Sequence, residues 1–155
     1  LALDWGGTNF RASVILFEKG KKPKVLETLK KTLSAKEAKG FTGEDLCESM
    51  TDLIAQLKNL DETVTQIGYC FSYPAESTLD GDAILLRWTK GIDIPDMIDK
   101  LVGKPLMDYI NNYKSIKERK IIKAGIVKIN VATNNLTGVS SMFCPSRRPA
   151  TFFGT

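Results

Sequence analysis

Histidine is absent from the 155 residues of this chain. A Ser-His-Asp or Cys-His catalytic arrangement is therefore excluded, and so is a zinc site built on histidine. Any chemistry in which the chain takes part has to come from carboxylates, backbone dipoles, lysine, arginine or a bound metal ion.

Cysteine is scarce, and its residues form no C-x-x-C pair. The three cysteines, an odd number spread along the chain, are Cys47, Cys70 and Cys144. This pattern fits free thiols in a reducing compartment, so we expect a cytoplasmic protein. No apolar run reaches the length of a membrane span, and we expect none in the protein.

The formal net charge of the chain at pH 7 is small, at +4. The lysine-rich runs at residues 19–22 and 117–120 contain no interleaved aromatic side chains. We interpret them as solvated turns and helix ends, and we expect no nucleic-acid partner. Chain length and composition predict one ordinary globular domain with its own core. The chain begins within a predicted strand and stops in a glycine turn, so we expect it to be a piece of a longer protein.

The stretch with the most specific pattern is the first one, Leu1–Phe17. An apolar strand leads through a Gly-Gly turn into a second apolar run, which predicts a β-hairpin. Glycines permit positive φ and close approach, and the successive N–H groups of such a turn form a concave anion site. Arg11 adds charge-assisted hydrogen bonds, and Asp4 is placed to hold Mg²⁺ through water. The residues predicted to bind phosphate are Asp4, Gly6, Gly7, Thr8, Asn9 and Arg11. An ordinary glycine hairpin is the alternative.

Strand and helix patterns alternate along the next part of the chain. Residues 25–31 alternate weakly between apolar and polar, which predicts a third strand and an antiparallel meander. A capping signal followed by apolar residues at helical spacing predicts a helix from Thr42 to about Asn59. The apolar run Gln66–Phe71 predicts a buried strand, which this helix joins to the sheet as a crossover.

Two shorter helices and a last strand complete the pattern. Helices are predicted over residues 94–101 and 105–113, the second with Pro105 near its first position. A buried strand is predicted over residues 120–130. Together these elements indicate one α/β domain.

The segment Asp4–Arg11 closely resembles the first phosphate motif of ATP-dependent hexokinases and glucokinases, members of the actin-like ATPase superfamily. Two further segments resemble this family and occur in its order. Phe71–Pro74 resembles its Phe-Ser-Phe-Pro stretch, and Trp88–Gly91 resembles its Trp-Thr-Lys-Gly stretch, with Asp-Gly ahead of it as at Asp80-Gly81. Three residues differ from the family's pattern, at packing or rim positions. Tyr73 stands where the family has Phe, Ser77 where it commonly has Gln, and Ile92 where Phe is usual.

The resemblance implies an α/β fold of the ribonuclease H-like, actin-like ATPase type. Such a lobe has a mixed sheet that opens with an antiparallel β-meander and carries flanking helices. Residues 1–155 would form the N-terminal small lobe of a two-lobe kinase, with the second lobe outside this chain. The implied activity is the transfer of the γ-phosphoryl group of ATP, with Mg²⁺, to the terminal hydroxyl of glucose or a similar hexose, the first step of glycolysis.

The resemblance also implies a sugar-binding side. Each sugar hydroxyl both donates and accepts hydrogen bonds, so converging hydroxyl, amide and ammonium groups suit it. The residues implied to contact the hexose are Ser72, Thr89, Lys90 and Asn130. Without the other motifs, Thr89-Lys90 would predict only an exposed loop that binds nothing.

The family's catalytic base, an aspartate in an Asn-Asp-Thr motif after a buried strand, has no counterpart here. No aspartate or glutamate occurs in residues 121–155. Asn130 could be the motif's asparagine with Asp-Thr absent, which we prefer because the predicted strand ends there. Alternatively Asn134-Asn135 fills the Asn-Asp positions, which places an amide at Asn135, and an amide is not a base at neutral pH.

The catalytic residue is therefore unknown from the sequence. Three explanations stay open: the chain is inactive as written, residues near Asn130 are missing from the sequence, or another group serves as the base. We expect this chain alone not to turn over. A non-catalytic sugar-binding or regulatory domain is the alternative function. An acidic-sugar or acyl-phosphate kinase of the same superfamily is a weaker alternative, because Trp88–Gly91 argues against it.

Overall fold

The computed structural model describes residues 1–113, 116 and 128–133. The first three strands form the expected antiparallel meander. β1 (Ala2–Trp5) pairs with β2 (Asn9–Leu16), and β2 pairs with β3 (Lys24–Thr32). Along β1 and β2, buried side chains alternate with more exposed ones, so one face of the meander covers the core.

Helix α1 (Gly43–Ile54) begins at the predicted capping box. The Thr42 hydroxyl accepts a hydrogen bond from the Asp45 N–H, and the Asp45 carboxylate accepts one from the Thr42 N–H at 2.8 Å. The helix ends five residues before the predicted Asn59. The Asn59 N–H instead donates to the Glu27 carboxylate of β3 at 2.9 Å, a contact between distant residues that helical spacing cannot show.

Strand β4 (Gln66–Phe71) has the predicted bounds and lies parallel to β1, so α1 is part of a crossover. Its side chains Ile67, Tyr69 and Phe71 are buried. The Tyr69 hydroxyl lies 3.8 Å from the Met50 sulfur of α1, which places this helix against the same apolar core.

Two short strands, β5 (Ala75–Ser77) and β6 (Ala83–Leu85), form a separate antiparallel ribbon. The helix predicted over residues 94–101 is wrong, because only Pro95–Met97 form a single 3₁₀ turn. The Asp99 N–H donates to the Leu85 carbonyl at 2.8 Å, and the Leu85 N–H donates to the Lys100 carbonyl at 3.0 Å. These backbone groups therefore pair with β6 rather than within a helix.

Helix α2 (Gly103–Asn112) starts two residues earlier than predicted, with Pro105 as its third residue. The carboxylate of Asp82, 4% exposed, accepts hydrogen bonds from the N–H groups of Gly103 and Lys104, both at 2.7 Å. A carboxylate at this position satisfies free N–H groups of the first turn and interacts favourably with the helix dipole.

Strand β7 (Lys128–Thr133) lies parallel to β4 at the far side of the sheet, whose order is β3-β2-β1-β4-β7. The strand predicted over residues 120–130 is confirmed from Lys128 onward, but it continues three residues past Asn130; residues 120–127 lie outside the described part. The result is the expected mixed sheet with helices, in which Trp5, Phe71 and Thr133 end three parallel strands in register.

Candidate functional site

The candidate site lies at the carboxyl ends of the parallel strands β1 and β4. In open α/β sheets, ligands bind outside these strand ends. The glycine turn (Gly6–Asn9) follows β1, and the serine loop (Ser72–Pro74) follows β4. The Ser72 N–H donates to the Trp5 carbonyl at 3.2 Å, which joins the start of the serine loop to the end of β1.

The glycine turn has the backbone shape that the Gly-Gly pair predicts. Gly7 has φ +107°, in the left-handed region that favours glycine. The Gly6 N–H donates to the Asn9 carbonyl at 3.4 Å, and the Leu33 N–H donates to the Thr8 carbonyl at 2.8 Å. The turn is thus fixed both internally and to the segment after β3, while Gly6 and Thr8 stay exposed.

Asp4 and Arg11 are direct partners across β1 and β2. The Arg11 guanidinium donates to the Asp4 carboxylate at 2.8 Å, and both side chains are 45% exposed. An ion pair this exposed contributes about 1 kcal/mol or less to stability, so either group can exchange its partner for a ligand.

A metal ion held directly by several side chains does not fit this site. No group of three or more candidate metal-ligating side chains occurs in the part of the chain that the structure describes. A single exposed carboxylate fits instead a Mg²⁺ ion that keeps its waters and is held mainly by phosphate oxygens.

Lys90 brings the sequence-predicted segments together. It lies in the lysine loop (Trp88–Gly91), and its ammonium donates to the carbonyl oxygens of Gly6, at 2.7 Å, and Ser72, at 2.9 Å. The three segments that sequence motifs single out, separated along the chain, therefore meet at one point.

Ser72 and Thr89 each carry a hydroxyl, and both residues are half-buried. The Ser72 carbonyl accepts from Lys90, and Thr89 directly precedes Lys90 in sequence. Within residues 1–113, 116 and 128–133, neither hydroxyl has a hydrogen-bond partner. The Thr89 carbonyl accepts from the Ile92 N–H at 3.2 Å, which closes the lysine loop. Two hydroxyls and one ammonium thus remain able to hydrogen-bond a polar ligand.

Aromatic side chains at the ends of β1 and β4 and within the serine and lysine loops pack into one cluster. Trp5, Phe71, Tyr73 and Trp88 contact one another with ring centroids 4.8–6.2 Å apart. The indole N–H of Trp88 donates to the Ile94 carbonyl at 2.7 Å, and that of Trp5 donates to the Leu33 carbonyl at 3.0 Å. The sequence places an aromatic residue beside or within each loop, but it does not show that the four rings contact one another.

Tyr73 is the least expected member of the cluster, since it stands where the family motif has phenylalanine. Its side chain is 1% exposed, and its hydroxyl has no hydrogen-bond partner among the described residues. Burial raises the pKa of the phenol, so Tyr73 stays neutral across the physiological range.

Asn130 is placed differently from the other predicted sugar residues. It lies within β7, opposite Gly68, three residues before the strand ends. A Cβ built on Gly81 would lie 2.8 Å from the Asn130 side-chain oxygen, so Asn130 packs against the β5–β6 turn. A hexose contact by Asn130 stays a prediction.

The strand bounds also bear on the missing base. Asn130 is preferred as the motif's asparagine because the predicted strand ends there, but β7 ends at Thr133, so that reason is wrong. Asn134 and Asn135 directly follow the strand in sequence and lie outside the described residues.

A mixed sheet with a glycine turn and hydroxyl-bearing loops at its parallel strand ends defines a lobe of the actin-like ATPase type. A family model described as Hexokinase matches residues 1–142. The chain belongs to the hexokinase family.

Individual relatives agree with this assignment. A hexokinase of Emericella nidulans is 31% identical over 100% of this chain, which spans 31% of that protein. Human hexokinase-1 is 30% identical over 96% of this chain, which spans 16% of it. A solved hexokinase from Schistosoma mansoni, complexed with glucose, is 25% identical with a TM-score of 0.59 and covers 85% of this chain, which covers 28% of it. The chain thus spans about a third or less of these relatives.

The described part of the chain contains no helix of the length and apolar character needed to cross a bilayer.

Proposed function

We propose that this chain is the small lobe of a hexokinase that transfers the γ-phosphoryl group of ATP to the terminal hydroxyl of a hexose, with glucose the foremost candidate. The observation that carries the proposal is the Lys90 ammonium, which contacts both the glycine turn and the serine loop. Phosphoryl transfer requires the phosphate donor and the sugar acceptor to lie side by side. The Lys90 contacts hold together the two segments that we propose to bind them.

Each part of the site has a task that its chemistry suits. Backbone N–H groups of the glycine turn and the Arg11 guanidinium bind phosphate oxygens. Ser72, Thr89 and Lys90 orient the sugar through hydroxyl and ammonium groups. Positioning and charge stabilisation provide most of the catalysis in phosphoryl transfer. Mg²⁺, reached by Asp4 through water, would neutralise charge on the phosphates.

A second lobe would supply the adenosine site and close over the sugar. Closure excludes water and so suppresses hydrolysis of ATP. Because residues 121–155 contain no carboxylate, we expect no turnover from this chain by itself. Cytoplasmic location is part of the proposal and is supported by the free thiol of Cys47.

Glucose binding to the chain tests the proposal. Both tryptophans of the sequence, Trp5 and Trp88, lie in the aromatic cluster beneath the loops, so their fluorescence reports on this site. We expect D-glucose to change the emission saturably and L-glucose to have no effect, because only one enantiomer matches a chiral set of donors.

Two variants provide the matched comparison. Ser72→Ala removes one hydroxyl from the site and is expected to weaken glucose binding about 5- to 10-fold. Ser13→Ala removes an exposed hydroxyl paired with Thr28 on the meander and is expected to leave binding unchanged. Equal responses to both glucose enantiomers, or equal affinities for the two variants, would contradict the proposal.

A further inference from the structure

A row of charged side chains crosses the first three strands beside the glycine turn. Asp4 of β1 is the direct partner of Arg11 in β2, and Arg11 is the direct partner of Lys30 in β3. Side chains at directly opposed positions lie on the same face of a sheet, with Cβ atoms about 5 Å apart. Asp4, Arg11 and Lys30 therefore form one charged row, with a carboxylate at one end and two cations after it.

The charged row lies on the face of the sheet that is turned away from the apolar core. Phe10 and Ala12, which flank Arg11 in β2, are both buried, and successive side chains of a strand point to opposite faces. Arg11 and Lys30 are both exposed. A ligand that approaches this face can thus reach both cations.

The pairing of Arg11 with Lys30 is unfavourable in the free chain, because like charges directly opposite one another destabilise a sheet. Asp4 accepts a hydrogen bond from Arg11 at 2.8 Å, but none of the ion pairs between described residues includes Lys30. The next pair on the same face, Ser13 and Thr28, is joined by a hydrogen bond between its hydroxyls at 2.8 Å. Lys30 thus provides a positive charge that a bound anion would neutralise.

The charged row lies close to the proposed phosphate site. Asn9, the last residue of the glycine turn, precedes Arg11 by two positions in β2, which is about 7 Å along a strand. The Leu33 N–H, directly after β3, donates to the Thr8 carbonyl at 2.8 Å, so the end of β3 is held beside the turn. The glycine turn and the two cations therefore border one surface.

The extent of this surface indicates which anion suits it. Lys30 lies one strand beyond Arg11, about 5 Å further from the glycine turn, so a single phosphate group is too small to contact both the turn and Lys30. A chain of linked phosphates can span them, and its oxygens accept charge-assisted hydrogen bonds from lysine and arginine. The sheet order β3-β2-β1-β4 places Lys30 and the serine loop on opposite sides of β1.

We propose that Lys30, together with Arg11, binds the part of a phosphate chain that is remote from the hexose. The inference rests on the proposed function and deepens it, because it assigns a binding residue to the part of the phosphate donor that is not transferred. A phosphate group between the two cations also removes their mutual repulsion, so binding relieves an unfavourable contact of the free chain.

Charge reversal separates a binding role of Lys30 from a structural one. Lys30→Glu places a carboxylate opposite Arg11, so it should raise the urea concentration at the midpoint of unfolding while it weakens tripolyphosphate binding about 20-fold. Lys24→Glu is the matched control, since it makes the same change in the same strand, opposite Leu16. In about 0.1 M salt, where charges further apart than about 10 Å are screened, it should alter the affinity less than about twofold.

Either of two results would overturn the inference. Equal affinities of Lys30→Glu and Lys24→Glu for tripolyphosphate would show that the position of the charge is unimportant. A lower unfolding midpoint in Lys30→Glu than in the parent chain would contradict the repulsion between Arg11 and Lys30.

The length of the anion provides the second test. Calorimetric titrations compare tripolyphosphate with inorganic phosphate as probes. We expect Lys30→Met to weaken tripolyphosphate binding about fivefold and inorganic phosphate binding less than about twofold, and Lys30→Arg to retain the parent's affinity for both. A loss of equal size for the two probes would overturn the contact of Lys30 with the remote part of the chain.

Failure of this inference is distinguishable from failure of the proposed function. Tripolyphosphate binding that is weakened by Arg11→Met but not by Lys30→Met overturns the role of Lys30 and leaves the glycine turn as a phosphate site. Absence of tripolyphosphate binding in the parent chain overturns the phosphate site and the role of Lys30 together. The titration with D-glucose, which does not involve Lys30, then decides whether the hexose part of the proposed function stands.

Discussion

Gly7 and Lys90 share one small volume at the candidate site, so neither position tolerates much change. Gly7 needs its positive φ, and the space where a side chain would begin is filled by the Lys90 stem. The Gly-Gly pair was visible in the sequence as a turn signal. The lysine that lies on it, 83 positions later, was not, because the contact depends on where two loops end up in the sheet.

Gly7→Ala is expected to destabilise the chain by about 2–4 kcal/mol, because it combines a left-handed alanine with a steric overlap. Gly20→Ala is the matched control, since Gly20 has φ +77° and no described atom lies within 4 Å of a Cβ built there. It should cost only about 1–2 kcal/mol. Urea unfolding measures both; equal losses would contradict the close contact between Gly7 and Lys90.

Cys47 is expected to resist thiol reagents although it is a free cysteine. Burial, with smaller contributions from Glu44 and Asp96, raises the pKa of its thiol from 9.0 to about 11. At pH 8, Cys47 should stay unmodified by a thiol reagent in the folded chain and should react once the chain is unfolded in urea. Rapid labelling of Cys47 in the folded chain would contradict its burial in the core.

The same shift predicts a pH dependence of stability. The folded pKa of Cys47 lies above its unfolded value, so the stabilisation is complete below pH 9 and is lost as pH rises from 9 to about 11. The loss amounts to about 2–3 kcal/mol for a shift of this size. The difference in unfolding free energy between the parent chain and Cys47→Ala should therefore shrink across this pH range.

Among the elements, those with local signals matched their predictions and those defined by distant contacts did not. α1 begins directly after its predicted cap Thr42, because the capping box lies within four consecutive residues. The bounds of β4 followed from one apolar run. In contrast, residues 99–102 pair with β6, and α2 is capped by Asp82 from 21 residues away. Neither contact has a signature in the neighbouring sequence.

Asp82 is expected to be a major stabilising residue of this second half of the fold. Its buried carboxylate accepts from the N–H groups of Ala83, Gly103 and Lys104. Asp82→Ala leaves these donors unsatisfied and should cost about 2–4 kcal/mol. Asp80→Ala, in the same turn but exposed and bonded to the Thr78 hydroxyl, should cost about 1 kcal/mol or less. Urea unfolding measures the free energy of unfolding of both variants. Similar losses of stability in the two variants would contradict the capping role of Asp82.

At the scale of the whole molecule, the parallel pairing of β1, β4 and β7 is what gathers the motifs. Each motif identified in the sequence lies near a strand end, but the sequence does not state which strands are neighbours. Once β4 is placed beside β1, the serine loop starts next to the glycine turn, and the lysine loop spans both. The catalytic position could not be assigned, because no aspartate or glutamate occurs in residues 121–155.

The most direct test of this account is a crystal structure of the chain with bound D-glucose. The account predicts the sugar at the carboxyl ends of β1 and β4, with its oxygens within hydrogen-bonding distance of the Ser72 and Thr89 hydroxyls and the Lys90 ammonium. The Lys90 contact with the Gly6 carbonyl should persist. Glucose bound elsewhere on the lobe, or no bound glucose in crystals soaked at a concentration that saturates the fluorescence change, would contradict it.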